Sequence, residues 1–373
     1  IDCAQPDGAF RLVAAAVPAD DGERRDVAAE IDQSTIHLAS RRSTESTVLD
    51  VLFEPLPGIL RQQAGNSAEL LIPLHARPLL PPAPITTHTG GSLPGFSVIV
   101  PSFNQGRFIG RTIESILAQE EICSVHVFDG GSTDETIEIL TSFGDAIRWE
   151  SGPDRGQAHA INKGLEAASG EFIAWINSDD IYEPNAFSHV SEIFRNKSDV
   201  SVVYGEAYHI DQTDAIIERY GAEDFELERL LQRCYICQPA AFFRRKIVER
   251  HGGLRESLHY CLDYEFWLRL ACAGEIFYRT DRFLAGSRLY DQTKTIGSRP
   301  QAYFETADLM LRVMSRAGDD WIEHFANAIA DHLVEYAGSS RIAAFRQAER
   351  LARQFWQRDG TEGRRNVTAN AKS

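Results

Sequence analysis

At 373 residues, with 43% hydrophobic and 25% charged side chains, the chain has the length for two or three domains and an ordinary globular composition. Its 38 Lys and Arg against 54 Asp and Glu give a formal net charge of −16, which argues against a basic nucleic-acid-binding surface, though not against a local basic patch near anionic lipid. No apolar run reaches the roughly 18 residues of a membrane span, and no secretory signal precedes the first domain; the start reads Ile rather than Met, as in a piece excised from a longer protein whose targeting information is lost with it.

Residues 1–80 read as a small β-rich accessory domain, with strand candidates at 10–17, 34–40 and 69–74 and a turn signal at Asp20-Asp21-Gly22. The Pro- and Gly-bearing stretch 81–95 reads as a linker. From Phe96 the pattern alternates. Strands are expected at 96–100, 123–128, 147–150 and 173–176, with amphipathic helices at 107–119, 133–143 and 157–168 between them. That alternation predicts βαβ units and a mostly parallel sheet, with ligands at the carboxyl ends of the strands. Beyond residue 183 it loosens into strands at 200–204 and 207–211, a hairpin with Ile216-Ile217, and a helix at 262–273. Residues 298–373 have a helical pattern and form an extension of their own.

The six cysteines, Cys3, Cys123, Cys234, Cys237, Cys261 and Cys272, are scattered. They read as small buried hydrophobes of a reducing compartment. Cys234 and Cys237 form a lone CxxC, and a zinc site would need a second pair.

Three strand ends carry polar clusters. The segment 173–180 runs from an apolar strand into Asp179-Asp180, a pair of hard oxygen ligands that suits Mg²⁺ or Mn²⁺ bound together with phosphates; the alternative is a helix N-cap. The first strand ends in Pro101-Ser102-Phe103-Asn104, where Phe103 is placed to stack on a base and Asn104 to cap a helix. The second ends in Asp129-Gly130-Gly131-Ser132-Thr133, where Ser132 or Thr133 suffices as a cap. That leaves the Asp129 carboxylate to accept hydrogen bonds from a base or ribose.

With 97–104, 129–136, Gly152-Pro153-Asp154-Arg155-Gly156-Gln157, 160–164, 170–184, 238–243 and 262–269 in this order and at these spacings, residues 96–297 resemble a family 2 glycosyltransferase. The resemblance implies the GT-A fold, α/β and Rossmann-like with a mostly parallel sheet flanked by helices. It also implies an inverting, metal-dependent transfer from a nucleotide-diphosphate sugar to a saccharide or lipid-linked glycan, as in bacterial surface polysaccharide synthesis. Pro101, Ser102, Phe103, Asn104, Asp129, Asp154, Gly156, Gln157 and Asp179 are then expected around the nucleotide. Asp180, with Asp179, would hold Mn²⁺ or Mg²⁺ across the diphosphate. Asp263 would be the catalytic base, a helix N-cap being its alternative, and Glu265, Trp267, Arg288 and Lys294 would contact acceptor or phosphate.

Two departures stand out. Asn177 replaces the first acid of the family's metal motif, and Tyr290 stands where relatives often carry a His that approaches the metal or diphosphate. They keep a second expectation open, a catalytically degenerate module that binds nucleotide or glycan without turnover. A nucleotide-binding oxidoreductase is disfavoured, because the first strand leads to Pro-Ser-Phe-Asn and not to a G-x-G-x-x-G turn. The resemblance further implies a cytoplasmic setting, with the inner membrane face, peripheral membrane association and a homo-oligomer or larger parent chain left open.

Overall fold

The structure, a computed structural model, describes residues 81–85, 93–291 and 293 throughout. It also describes four strands before residue 80, helix Arg299–Met314 and scattered residues between 321 and 353. The chain divides into two compact units, Leu79–Ser298 and the combination of Ile1–Pro78 with Arg299–Ser373. In the second of these, β1 (Phe10–Leu12), β2 (Ala39–Ser40) and β3 (Leu60–Ala64) all pair antiparallel with β4 (Ser67–Ile72). Helix 299–314 belongs to the same unit.

Unit Leu79–Ser298 is built on a nine-stranded mixed sheet. Its first half is parallel. β5 (Leu93–Ser102) lies between β6 (Ile122–Asp129) and β8 (Gly170–Trp175), and β7 (Arg148–Ser151) extends the β6 edge. The β-branched run Val98, Ile99, Val100 makes β5 the central strand, buried on both faces. Helices α1 (Gly106–Leu117), α2 (Thr136–Ser142) and α3 (Gln157–Ala167) are the intervening crossovers. In the register Ser102 stands opposite Asp129, and Asp129 opposite Ser151, so these strands end level.

The second half mixes directions. β8 continues antiparallel to β12 (Ala241–Arg244), which pairs antiparallel with β10 (Val200–Ile210). β10 runs parallel to β13 (Ile276–Arg288) and forms a hairpin with β11 (Ile216–Tyr220), while β9 (Ile181–Tyr182) pairs with β13. The two strands expected at 200–211 are thus one, and β12, β13 and helix α4 (Ala186–Asn196) are additions to the sequence reading. Smaller helices α5 (Leu227–Leu230) and α6 (Lys246–His251) precede α7 (Leu262–Cys272).

The Phe96 ring packs against Phe172, Phe187 and Phe242, with centroids 5.2, 4.6 and 5.7 Å away, and this buried cluster joins β5, β8, β12 and α4. Within the stretch 81–95, the backbone of Ala83 bonds both Leu254 and Gly253, and β5 begins at Leu93.

Candidate active site

The carboxyl ends of β5, β6, β8 and β13 open into one cleft of about 700 Å³. The first two ends are stitched together. The backbone N–H of Asn104 donates to Ser132 Oγ at 2.7 Å, and Asn104 Oδ1 accepts from the N–H of Thr133 at 2.8 Å. Asp134 serves two helices, accepting from the N–H of Gly106 at the start of α1 and from the N–H and hydroxyl of Thr136 at the start of α2. Burial works against its charge, but these donors hold the carboxyl below the usual carboxylate range. Gly106 packs closely here, since a Cβ would stand 2.5 Å from Glu135 Cγ and 3.0 Å from the Thr136 backbone nitrogen. Asn104 thus couples two loops and stands outside the cleft lining.

Asp129 is buried and turned into its own turn. Its Oδ2 accepts from the N–H groups of Gly131 and Ser132 (3.0 and 2.8 Å) and from Ser151 Oγ (2.6 Å), while Oδ1 accepts from Ser132 Oγ (2.5 Å). Sequence reading set Asp129 apart from the cap. The geometry makes it the anchor of the Gly-Gly-Ser turn. What faces the cleft instead is the floor at Gly130, where a Cβ would lie 3.2 Å from Asp154 Oδ2 and 3.3 Å from the Phe103 ring. Phe103 is 60% exposed, so an apolar face and a carboxylate meet over bare backbone. Asp154 Oδ1 accepts from the N–H of Gly156 at 2.7 Å, with Gly156 at φ +107 where glycine is favoured. Pro101 and Ser102 line the same wall. The Ser102 hydroxyl is buried and has no partner among the described residues.

Across the cleft lies the carboxylate turn after β8. Asp180 is buried. Its Oδ1 accepts the N–H of Arg288 at 2.8 Å, and its Oδ2 sits 3.4 Å from Asn177 Nδ2. Gln157 in turn donates to Asn177 Oδ1 at 2.7 Å. Burial, and then the neighbouring Asp179, pushes the Asp180 carboxyl well above its usual range, partly offset by Arg288 and Asn177. Asp179 Oδ2 accepts from the Tyr290 hydroxyl at 2.9 Å, and Gln105 Nε2 donates to that hydroxyl at 3.2 Å. Tyr290 therefore occupies the expected position beside the carboxylates, and burial and Asp179 hold it in its neutral, donating form. Thr112 of α1, fully buried, places its hydroxyl 2.7 and 3.0 Å from the carbonyls of Asp180 and Ser178. No sequence signal singled out Thr112.

Three expected contacts have other employment. The guanidinium of Arg288 is entirely buried. It bonds the carbonyls of Asp179 and Asp211 (2.6 and 2.5 Å) and the carboxylate of Asp214 (2.5 Å), so it braces the carboxylate turn rather than reaching out to phosphate. Glu265 is buried in an ion-pair cluster with Arg255 (2.7 Å) and Arg269 (3.0 Å). Trp267 is a core residue packed on Phe266 and Phe243. Both are buried and outside the cleft lining. Lys294 lies outside the described residues. Asp263 sits in the first turn of α7, half-buried and outside the lining of this cleft. Burial comes first in raising the Cys237 thiol, followed by the charges of Asp180, Cys234 and Asp263, so both carboxylates lie within its electrostatic reach. Cys234 is raised the same way, which makes the pair poor nucleophiles; Cys237 and Cys261 are buried as expected, whereas Cys123 and Cys234 are half-buried and Cys272 is exposed, which corrects the reading of them as small buried hydrophobes.

A divalent cation fits the chemistry of this donor set. Two adjacent oxygen ligands line the cleft, one of them disfavoured as a bare anion. Among the described residues no group of three or more His, Cys, Asp or Glu could hold a metal alone. A site of one or two carboxylates completed by substrate phosphates is the usual arrangement for Mg²⁺ and its analogues.

Residues 97–252 match the model of glycosyl transferase family 2. An uncharacterized glycosyltransferase of Rickettsia typhi is 28% identical over 216 residues, 54% of this chain and 66% of that protein. A PGL/p-HBAD biosynthesis glycosyltransferase of Mycobacterium bovis is 29% identical over 184 residues, 47% of this chain and 69% of that protein. The crystal structure of Staphylococcus aureus TarS superposes with a TM-score of 0.46 at 16% identity, covering 69% of this chain and 55% of TarS. The region that places Asp179 and Asp180 at a strand end, a mixed sheet with flanking helices, is thus similar to family 2 glycosyltransferases.

Proposed function

We propose that the chain transfers a glycosyl group from a nucleotide-diphosphate sugar to a saccharide or lipid-linked glycan, with inversion and with a divalent cation held at Asp180 and Asp179. The observation that carries this reading is that an exposed aromatic ring beside a glycine and a carboxylate (Phe103, Gly130, Asp154) and a carboxylate pair line one cleft. A nucleoside laid on that ring would direct its diphosphate toward the carboxylates. The cation, when bound, supplies positive charge to the departing diphosphate. In the transfer, the acceptor oxygen bonds to the anomeric carbon as Asp263 takes the hydroxyl proton. The bond to the diphosphate breaks with its electron pair on the phosphate oxygen. A relative named for PGL/p-HBAD biosynthesis supports a glycolipid or envelope-glycan acceptor.

The deciding experiment is a thermal-shift screen of UDP, GDP, dTDP and CMP with and without Mn²⁺. A metal-dependent rise with one of them is expected, about 2.7 kcal/mol of added stability at a hundredfold excess over Kd. Asp263→Asn should then lower turnover roughly 10²–10⁴-fold with nucleotide binding retained. No shift with any nucleotide would favour the degenerate binding module. A D263N enzyme that still turns over would remove Asp263 as the base.

A further inference from the structure

The β10–β11 hairpin ends in a tight turn that nothing in the proposed reaction uses. Asp211 Oδ1 accepts the N–H groups of Thr213 and Ala215 (2.7 and 3.1 Å), and Asp214 adopts a left-handed conformation at φ +69. This turn aims the Asp214 carboxylate between two arginines. Oδ1 accepts from Arg288 Nη2 at 2.5 Å, and Oδ2 accepts from Nε and Nη2 of the exposed Arg111 at 3.1 and 2.9 Å. Arg111 has a second counter-ion in Glu114, 2.9 Å away, whereas the Arg288 side chain is wholly buried.

The position of Arg288 makes its charge consequential. Its backbone N–H holds Asp180 and its Nε holds the Asp179 carbonyl, so the guanidinium is tied to the carboxylate turn and its charge acts on Asp180. A buried cation seeks the nearest carboxylate. Asp214, which is outside the cleft lining, supplies one.

We propose that Asp214 is a positioning residue for cation binding: by neutralising Arg288, it keeps the charge of Asp179 and Asp180 available to a divalent ion. This rests on the reading that those two carboxylates bind the ion. Without Asp214, the Arg288 charge is left to Asp179 and Asp180, where it opposes an incoming cation while leaving the nucleotide platform at Phe103 and Asp154 untouched.

The test titrates Mn²⁺ alone into the full chain and follows the resonance signal of free aqueous Mn²⁺. Asp214→Asn, which keeps the shape and removes the charge, should weaken Mn²⁺ binding about tenfold or more. Asp214→Glu should stay within about threefold of wild type. Arg111→Gln, at an exposed position, leaves Asp214 wholly to Arg288 and should tighten binding about twofold to fivefold. This last variant decides the matter if D214N does not fold. Equal affinity of D214N and wild type overturns the inference alone. So does a D214E as weak as D214N, or an R111Q that binds no tighter. A wild-type chain that binds no Mn²⁺ overturns the inference together with the metal assignment beneath it.

Discussion

The turn after β6 and the turn after β8 each place a buried aspartate at the end of a parallel strand, and the two are held in opposite ways. Asp129 collects four donors, all from its own turn or from neighbouring Ser151. Asp180 has one strong donor, the N–H of Arg288, which is 108 residues away in sequence, and one long contact to Asn177. The first carboxylate is satisfied by local structure. The second is under-supplied, sits beside another carboxylate and is pushed toward its protonated form. A fully bonded carboxylate stabilises the fold. An under-bonded one, kept in place from outside by Thr112, Arg288 and the Gln157–Asn177 pair, is poised for something that is not protein.

The same division separates two neighbours on α7, and the largest expected stability effect lies there. Glu265 is paired with two arginines at low exposure, so Glu265→Ala should cost about 3–5 kcal/mol by stranding buried positive charge. Asp263 is only half-buried in the first helical turn, and Asp263→Asn should cost clearly less than Glu265→Ala. Chemical denaturation of the two variants checks this. Similar losses would mean that Asp263 is structural as well.

Between the strand ends the contrast should show as opposite signs. Asp129→Asn removes a charged acceptor from several donors and should cost about 1.5–3 kcal/mol of metal-free stability, with the Mn²⁺ dependence of nucleotide binding intact. Asp180→Asn removes a poorly supplied buried acid and should leave metal-free stability unchanged or raised by about 0.5–2 kcal/mol, with the Mn²⁺ dependence lost. Unfolding in EDTA gives the first quantity, and thermal shift with nucleotide and Mn²⁺ the second. If both variants destabilise alike, the distinction between a bracing and a ligating aspartate collapses.

How far the sequence could be read follows the same line between local and distant partners. The parallel half, 96–176, was legible because each of its elements carries its own period, β-branched runs for strands and an amphipathic stripe for α1. The polar strand ends were legible too, and Phe103, Asp154, Asp179 and Asp180 do line one cleft. β13 was not legible. Its run Ile276–Arg288 is broken by Arg279, Asp281 and Arg282, and it is a strand because β10 pairs with it along nearly its whole length. Arg288 and Glu265 were placed near substrate because their charges were visible and their partners were not. Asp214 lies 74 residues from Arg288, and Arg255 precedes Glu265 by ten across a loop. Asp129 was misplaced for a subtler reason. Its donors are adjacent in sequence, but only the folded turn shows that backbone N–H groups already fill the carboxylate.

The smallest effect concerns Asp134, which ties the self-contained turn to α1 and can be read through pH. Its folded-state carboxyl lies below the ordinary value of 3.8, because the Thr136 hydroxyl and the N–H groups of Gly106 and Thr136 outweigh its burial. Between the two values the unfolded chain binds more protons than the folded one, so stability rises with pH across that window. Its contribution is therefore complete above about pH 5, roughly a unit past the ordinary value, and is lost as pH falls through the lowered folded value. Comparing wild type with Asp134→Asn by thermal unfolding from pH 2 to 6 should give a gap that is constant at the upper end and closes in acid. The Asp180→Asn comparison should not close in that direction, because the Asp180 carboxyl is displaced upward rather than downward. A gap at Asp134 that stays constant into acid would mean that its side chain acts through shape alone. The two helix N-termini would then draw no stability from its charge.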